Sequence, residues 1–123
     1  MAHVTLRIDF DAAGRVGHGK IRLLELVRET GSITAAGREM GMSYRRAWML
    51  IDALNRIFRT PVVATRIGGK AGGGAEVTAF GAELIARYRA METIAHTALG
   101  PHLRALDAAR AEPAGDTATT TAL

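Results

Sequence analysis

The sequence predicts a mostly α-helical fold with a small two-stranded β element, and three observations support this prediction. Apolar residues recur at helical spacing in four separate stretches before residue 100. Ser32 and Ser43 each stand directly before one of these stretches, as helix-capping residues do. A glycine-rich loop around Lys70 is flanked by two short runs of strand-forming residues. This order of elements is typical of a winged helix-turn-helix with a long C-terminal helix.

Length and composition limit the class of protein. The chain of 123 residues suits one domain, which we place at residues 1–100, followed by a short helical extension and a disordered tail at residues 101–123. Apolar residues make up 48% of the chain, and the absence of cysteine excludes disulfides and thiolate chemistry. The N-terminus does not resemble a signal peptide, and no apolar run approaches the ~20 residues of a membrane span. We therefore expect a cytoplasmic protein.

The N-terminal part is predicted to contain one strand and one helix. Residues Val4–Phe10 alternate between apolar and polar, which indicates a half-buried strand. The segments Asp11–Gly14 and Gly14–Gly17 are expected to form a turn and a loop. Helical spacing then predicts a helix over His18–Glu29, which ends at Thr30 and Gly31 because glycine adopts a left-handed conformation at low cost.

Two further helices are expected around a tight turn. Ser32 caps a short helix over Ile33–Met40, in which Gly37 and its small neighbours allow another helix to approach closely. Gly41 makes the turn, and Ser43 caps a longer helix that ends near Phe58. One face of this longer helix is predicted to lie in the core: Ala47, Leu50, Ile51, Leu54 and Phe58.

A β wing and a last helix complete the predicted fold. Pro61 prevents the preceding helix from continuing, and strands at Val62–Thr65 and Ala75–Thr78 enclose the glycine-rich loop. Thr78 is a suitable N-cap for a helix over Ala79–Leu99. Gly100 and Pro101 break or kink this helix, and a further short helical piece follows from His102 to Ala111.

The distribution of charge favours a polyanionic partner. The formal net charge is +4, and residues 43–70 contain six basic residues but a single acidic one, Asp52. A positive field on a helix-turn-helix and its wing is typical of DNA-binding proteins. An ordinary solvated basic face is the alternative.

The first turn of the third helix is the predicted site of contact with double-stranded DNA. Arg45 and Arg46 have guanidinium groups that match guanine O6 and N7, although each could equally bind phosphate. Tyr44 can pack on a sugar or on a thymine methyl group. For Trp48, burial against the first helix and contact with the groove are both open. The predicted DNA-binding residues are Ser43, Tyr44, Arg45, Arg46, Met49, Arg66 and Lys70.

Other readings of the glycine-rich segments and the histidines are weaker. A phosphate-binding P-loop would need glycine where Ala64 stands and Ser or Thr where Ala71 stands. Glu92 and His96 share a helical face, yet a solvated face explains them better than a metal site. No arrangement suggests nucleophilic catalysis, so we expect neither an enzyme nor a cofactor or metal.

The last helix has a wider apolar stripe than one small domain needs, which predicts a homodimer. Packing within the chain is the alternative. The residues predicted to form the dimer interface are Leu84, Tyr88, Met91, Ile94 and Ala95.

Three segments resemble the N-terminal DNA-binding domain of the ModE-type molybdate-responsive regulators, which is related to the LysR-type winged helix. They are GSITAAG at residues 31–37, MGMSYRRAW at residues 40–48 and GGKAGGGAEVT at residues 68–78. The resemblance implies a winged-helix dimer joined through its long terminal helix, with DNA contacts from Ser43, Tyr44, Arg45 and Arg46 and from the wing around Lys70. It also implies a role in controlling molybdenum or tungsten transport or metabolism genes.

The full regulators of that type have C-terminal oxyanion-binding domains, and we expect this chain to lack one and to have no small-molecule effector site. Two other functions remain open. A winged helix can serve as a protein-interaction module without sequence-specific DNA binding. The glycine-rich loop could instead bind an oxyanion. We expect, however, that the protein does not bind molybdate, tungstate or sulfate.

Overall fold

The computed structural model describes residues 1–66 and 74–111, which form two compact units. The larger unit comprises residues 5–92, and the smaller comprises residues 1–4 with the described residues from 93 onward. The regular elements, in chain order, are β1 (Arg7–Asp9), a single 3-10 turn (Asp11–Ala13), β2 (Arg15–Gly17), α1 (His18–Thr30), α2 (Ile33–Glu39), α3 (Tyr44–Ile57), β3 (Val63–Arg66), β4 (Gly74–Val77) and α4 (Ala79–Ala109). The predicted winged helix-turn-helix, mostly α with a small β wing, is confirmed.

The N-terminal region differs from the prediction. The strand is confined to Arg7–Asp9, and the segment expected to be a loop contains β2, which pairs antiparallel with β1. A tight turn makes this pairing possible, because the Phe10 N–H donates to the Gly14 carbonyl at 2.8 Å and Gly14 has a φ of 131°. A strand as short as β2 has too few residues to show alternation.

The helix-turn-helix agrees closely with the sequence. Gly31 ends α1 with a φ of 72°, and Gly41 makes the turn between α2 and α3 with a φ of 70°. The hydroxyl of Ser32 accepts a hydrogen bond from the Ala35 N–H at 3.0 Å, which confirms it as the N-cap of α2. A Cβ atom at Gly37 would lie 2.6 Å from that of Ala47, so α2 and α3 approach as closely as predicted.

The core of the larger unit lies between α1, α3, the base of the wing and the first turns of α4. Its largest fully buried side chain is that of Tyr88, whose hydroxyl donates to the Leu6 carbonyl at 2.7 Å. The buried residues come from each of these elements and include Ile21, Leu24, Ile51, Leu54, Val62 and Ile85. Leu50 and Phe58, which were expected in the core, are only partly buried and pack against it.

An ion pair joins α1 to α4 at the edge of this core. The guanidinium of Arg89 donates to both carboxylate oxygens of Glu25, at 2.9 and 3.0 Å. Arg22 also donates to Glu25, and Arg89 also donates to Glu92. The hydrogen bond from Arg89 lowers the pKa of Glu25 from its ordinary value, against the opposing effect of burial, and Arg22 adds to the lowering.

The last helix is longer than predicted. Thr78 caps it as expected, since its hydroxyl accepts from the Gly81 N–H at 3.0 Å. The separate helical piece expected from His102 is wrong, because α4 continues through Pro101 to Ala109. A proline removes one helical hydrogen bond, but its fixed φ is compatible with a helix, and the residues around it include the good helix formers Ala98, Leu99 and Leu103.

The smaller unit is held by hydrogen bonds from the N-terminal residues. The Ala2 N–H donates to the carboxylate of Asp107 at 2.7 Å, and the Val4 N–H donates to His96 Nε2 at 3.3 Å. Arg110 lies 3.4 Å from the same carboxylate. None of the helices in the described ranges is long and apolar enough to cross a membrane.

Candidate nucleic-acid interface

The first turn of α3 is exposed and positively charged. The hydroxyl of Ser43 accepts a hydrogen bond from the Arg46 N–H at 3.1 Å and so caps the helix. This cap stabilises the first turn, which contains Tyr44, Arg45 and Arg46. Tyr44, Arg45 and Arg46 are all exposed. Neither arginine side chain makes an ion pair or hydrogen bond with another residue in the described parts of the chain. Their donors are therefore available to an external anion or base.

The aromatic residues of α3 form an exposed pair. The rings of Tyr44 and Trp48 meet edge to face, with centroids 6.3 Å apart and planes at 65°. Trp48 is 39% exposed, so the indole is neither enclosed in the core nor fully solvated. Met49 follows it with an exposed fraction of 62%. The structure therefore places Trp48 beside the predicted contact residues, which sequence reasoning left open.

The wing lies beside the first turns of α2 and α3. Arg66 ends β3 opposite Gly74, and its guanidinium lies close to Gly74, where a Cβ would stand 3.4 Å from Nη2. Arg66 shares one groove with Tyr44 and Trp48. The groove is lined by Ser32, Ile33, Thr34, Tyr44, Trp48, Thr65, Arg66, Gly74 and Ala75. Of the predicted wing contacts, Arg66 thus joins the α3 residues, whereas Lys70 lies outside the described residues.

Backbone and side-chain hydrogen bonds hold the wing in place. Asn55 of α3 bonds the backbone of Val62 and Val63 at the start of β3. The Ala75 N–H in β4 donates to the Gly31 carbonyl at 3.0 Å, which ties the wing to the end of α1. Sequence reasoning missed the role of Asn55. Its position two residues before the end of α3, shortly before Pro61, was the available signal.

The acidic residue of this charged segment is paired locally. Asp52 accepts from Arg56 one helical turn later, at 2.6 Å, and both side chains are largely exposed. The pairing offsets the repulsion that a free carboxylate would exert on a phosphate backbone. Arg56 is correspondingly less available than Arg45 or Arg46.

The predicted dimer residues divide into two groups. Leu84 and Tyr88 are buried in the core of the chain itself, with exposed fractions of 7% and 1%, as the alternative of packing within the chain required. Met91 and Ile94 are exposed on α4, and Ala95 is partly exposed. Only this second group is available to another molecule.

The possible metal ligands noted in the sequence, Glu92 and His96, both lie on α4. No group of three His, Asp or Glu side chains within residues 1–66 and 74–111 is arranged to hold a metal ion. Glu92 is bonded to Arg89, and His96 accepts a hydrogen bond from a backbone N–H. These two residues, the loose pair noted in the sequence, therefore already have partners.

An arginine-rich first turn on a capped recognition helix, beside an antiparallel wing, defines a DNA-binding domain of the winged helix-turn-helix class. Comparison with known proteins agrees. The model of the bacterial regulatory helix-turn-helix proteins of the LysR family matches residues 18–82, which span α1 to the start of α4. The chain belongs to this family.

Several characterised relatives are molybdenum-related proteins. The chain is 49% identical over 78 residues to the molybdenum-pterin-binding protein MopB of Rhodobacter capsulatus, covering 63% of this chain and 29% of the relative. It is 36% identical over 94 residues to the molybdenum transport protein ModE of Azotobacter vinelandii, covering 76% of this chain and 35% of the relative. It is also 38% identical over 69 residues to the DNA-binding transcriptional dual regulator ModE of Escherichia coli, covering 56% of this chain and 26% of the relative. The chain thus spans between about a quarter and a third of the length of these relatives. The resemblance to ModE-type regulators is confirmed.

Proposed function

We propose that this protein regulates transcription by binding a specific DNA sequence as a homodimer. The observation that carries the proposal is the exposed first turn of α3, where Arg45 and Arg46 have no partner among the described residues. Ser43 holds this turn at the helix N-terminus, and Arg66 lies in the adjoining groove. Phosphate contacts by arginines supply affinity, and contacts to base edges supply specificity.

The dimer would form through the exposed apolar part of α4. Met91 and Ile94 are large apolar side chains open to solvent, and Ala95 lies beside them at helical spacing. Two copies related by a twofold axis would present two recognition helices to two half-sites about one turn of DNA apart. The binding site should then be a palindrome or an approximate one.

The names of the relatives point to the genes involved. MopB is named for binding molybdenum-pterin, and ModE of Azotobacter vinelandii for molybdenum transport. We therefore propose that the regulated genes serve molybdenum or tungsten transport or metabolism, and that the protein acts in the cytoplasm, where bacterial DNA is accessible. Residues 18–82, which match the family model of regulatory helix-turn-helix proteins, are the part of the chain proposed to bind DNA.

The test is binding of the purified protein to DNA upstream of its own gene, compared with a scrambled duplex, by fluorescence anisotropy over a salt series. Selective binding whose affinity falls steeply with salt supports the proposal. Binding that is weak, unselective and insensitive to salt contradicts it and favours a protein-interaction module. Parallel sedimentation measurements report the oligomeric state, and added molybdate reports whether an effector changes the affinity.

A further inference from the structure

A continuous apolar surface lies on the recognition helix between its charged residues. Tyr44 and Trp48 are one helical turn apart, pack edge to face and are both exposed, and Met49 adjoins them with most of its side chain in solvent. A shallow groove runs across these three side chains and is bordered by Arg45 and Asp52. We call Tyr44, Trp48 and Met49 the apolar recognition surface.

The position of this surface determines what it can contact. Arg45 borders it directly, Arg46 lies on the same first turn, and Arg66 shares a groove with Tyr44 and Trp48. Arginines dominate the border of this surface, because its acidic neighbour Asp52 is paired with Arg56. Such a border favours a polyanion, and the proposed partner of this helix is duplex DNA. In the major groove, thymine alone among the four bases presents a methyl group, while the other base edges present polar donors and acceptors.

We propose that the apolar recognition surface determines specificity by packing against the C5-methyl group of thymine, with Trp48 as its central residue. The proposal rests on the proposed function, because it assigns part of the sequence preference of the same helix. The arginines select polar base edges and phosphates, whereas Tyr44, Trp48 and Met49 select a methyl group. Trp48 thereby becomes a specificity-determining residue, and not only a packing residue of the helix-turn-helix.

Deoxyuridine tests this directly, because it lacks the thymine methyl group and retains every hydrogen-bonding atom. The preferred site is first selected from a random duplex library, and each thymine in it is then replaced singly by deoxyuridine. We expect one or two positions in each half-site where the replacement weakens binding about fourfold, the effect of one buried methyl group. Replacements at the other thymines should leave the affinity unchanged.

Variants assign the effect to the surface. Trp48→Ala should bind the thymine and deoxyuridine sites equally, while Trp48→Phe should retain part of the discrimination. Met49→Ser changes a mostly exposed side chain, so it tests the surface even if Trp48→Ala folds poorly. Leu106→Ala removes an equally exposed large apolar side chain from α4 and is the matched control, expected to discriminate as the unmodified protein does.

The outcomes separate this inference from the proposed function. Selective binding that is identical on thymine and deoxyuridine sites overturns the inference and leaves the proposed function intact. Full discrimination in Trp48→Ala and Met49→Ser also overturns it, because the methyl contact then lies elsewhere. Absence of any selected site overturns both.

Discussion

Asn55 in the recognition helix and Val63 at the start of β3 exchange two hydrogen bonds. Nδ2 of Asn55 donates to the Val63 carbonyl at 3.2 Å, and Oδ1 accepts from the Val63 N–H at 3.3 Å. The same oxygen also accepts from the Val62 N–H at 2.7 Å. Because β3 ends in Arg66, these hydrogen bonds help to hold Arg66 beside the first turn of α3, the proposed site of DNA contact.

Asn55→Ala should lower both stability and DNA affinity. It leaves partly buried backbone groups of β3 without their partner, which costs about 1–3 kcal/mol in the free energy of unfolding. Urea denaturation measures this loss, and anisotropy measures the affinity. Asn55→Asp keeps the acceptor and loses the Nδ2 donor, so its stability should lie between those of the unmodified protein and Asn55→Ala. An unchanged urea midpoint in Asn55→Ala would show that the wing is held by other contacts.

Gly37→Ala should destabilise the helix-turn-helix, although alanine is the better helix former. The added methyl group would lie 2.6 Å from the Cβ of Ala47 and force α2 and α3 apart, at a cost of about 1–3 kcal/mol. Gly19→Ala is the matched control in α1, since a Cβ there meets nothing within 4 Å. In thermal unfolding, Gly37→Ala should lower the melting temperature, whereas Gly19→Ala should leave it unchanged or raise it. Equal melting temperatures would contradict the close helix contact.

Arg45→Ala should weaken binding to the selected site by about 1–3 kcal/mol if the guanidinium contacts a base edge. A loss that is equal on unrelated DNA, with a shallower dependence on salt, would instead assign Arg45 to a phosphate. Arg104→Ala removes the same charge from an exposed position on α4 and serves as the control. If both variants bind like the unmodified protein, α3 does not contact DNA through this residue.

Ile94→Asp should convert the proposed dimer into monomers. The side chain is 66% exposed in the chain itself, so the substitution removes apolar area from an interface without disturbing the core. Sedimentation at micromolar concentration should show half the mass, and DNA affinity should fall because half-sites are bound singly. Ala86→Asp introduces the same charge at another exposed position of α4 and should remain dimeric. A dimeric Ile94→Asp variant would place the interface elsewhere.

Stability should fall below about pH 4.5 through Glu25. The hydrogen bond from Arg89 lowers the pKa of this carboxyl below its ordinary value of about 4.5, so the folded state resists protonation more than the unfolded state does. The contribution of Glu25 to stability is therefore complete above the pKa that this carboxyl has in the unfolded chain. It is lost as the pH falls through the lower pKa that the carboxyl has in the folded protein. Glu25→Gln should lower stability at pH 7 and flatten the acid limb of a pH series of urea midpoints.

The control for this prediction is Glu83→Gln. Glu83 pairs with Arg87 on the exposed side of α4, where solvent screens the interaction. Its substitution should change the urea midpoint little at any pH. A parallel acid limb in Glu25→Gln and the unmodified protein would show that Glu25 does not contribute to the pH dependence.

Local signals predicted most of the helical structure. Ser32 and Ser43 accept the capping hydrogen bonds expected of them, and Gly31 and Gly41 adopt the left-handed conformations that end and join the helices. Each of these features depends on a few neighbouring residues, so sequence alone can reveal it. The exposed placement of Tyr44, Arg45 and Arg46 followed from the same capping and from helical periodicity.

Long-range contacts were not predictable in this way. The pairing of Arg89 with Glu25 joins residues 64 positions apart, and the bonds from Asn55 become visible only when α3 and β3 are placed together. The burial of Tyr88 was also uncertain, because an apolar stripe on a helix does not reveal whether its own chain or another copy covers it. Tertiary packing decides such cases.

Sequence-specific recognition by α3 is tested most directly by measuring the affinity of the unmodified protein and of Arg45→Ala for DNA upstream of its own gene. A scrambled duplex is measured in parallel over the same salt series. We expect tight, selective and salt-dependent binding by the unmodified protein, with selectivity reduced in the variant. Equal binding of both duplexes by both proteins at low salt would contradict a sequence-specific recognition helix.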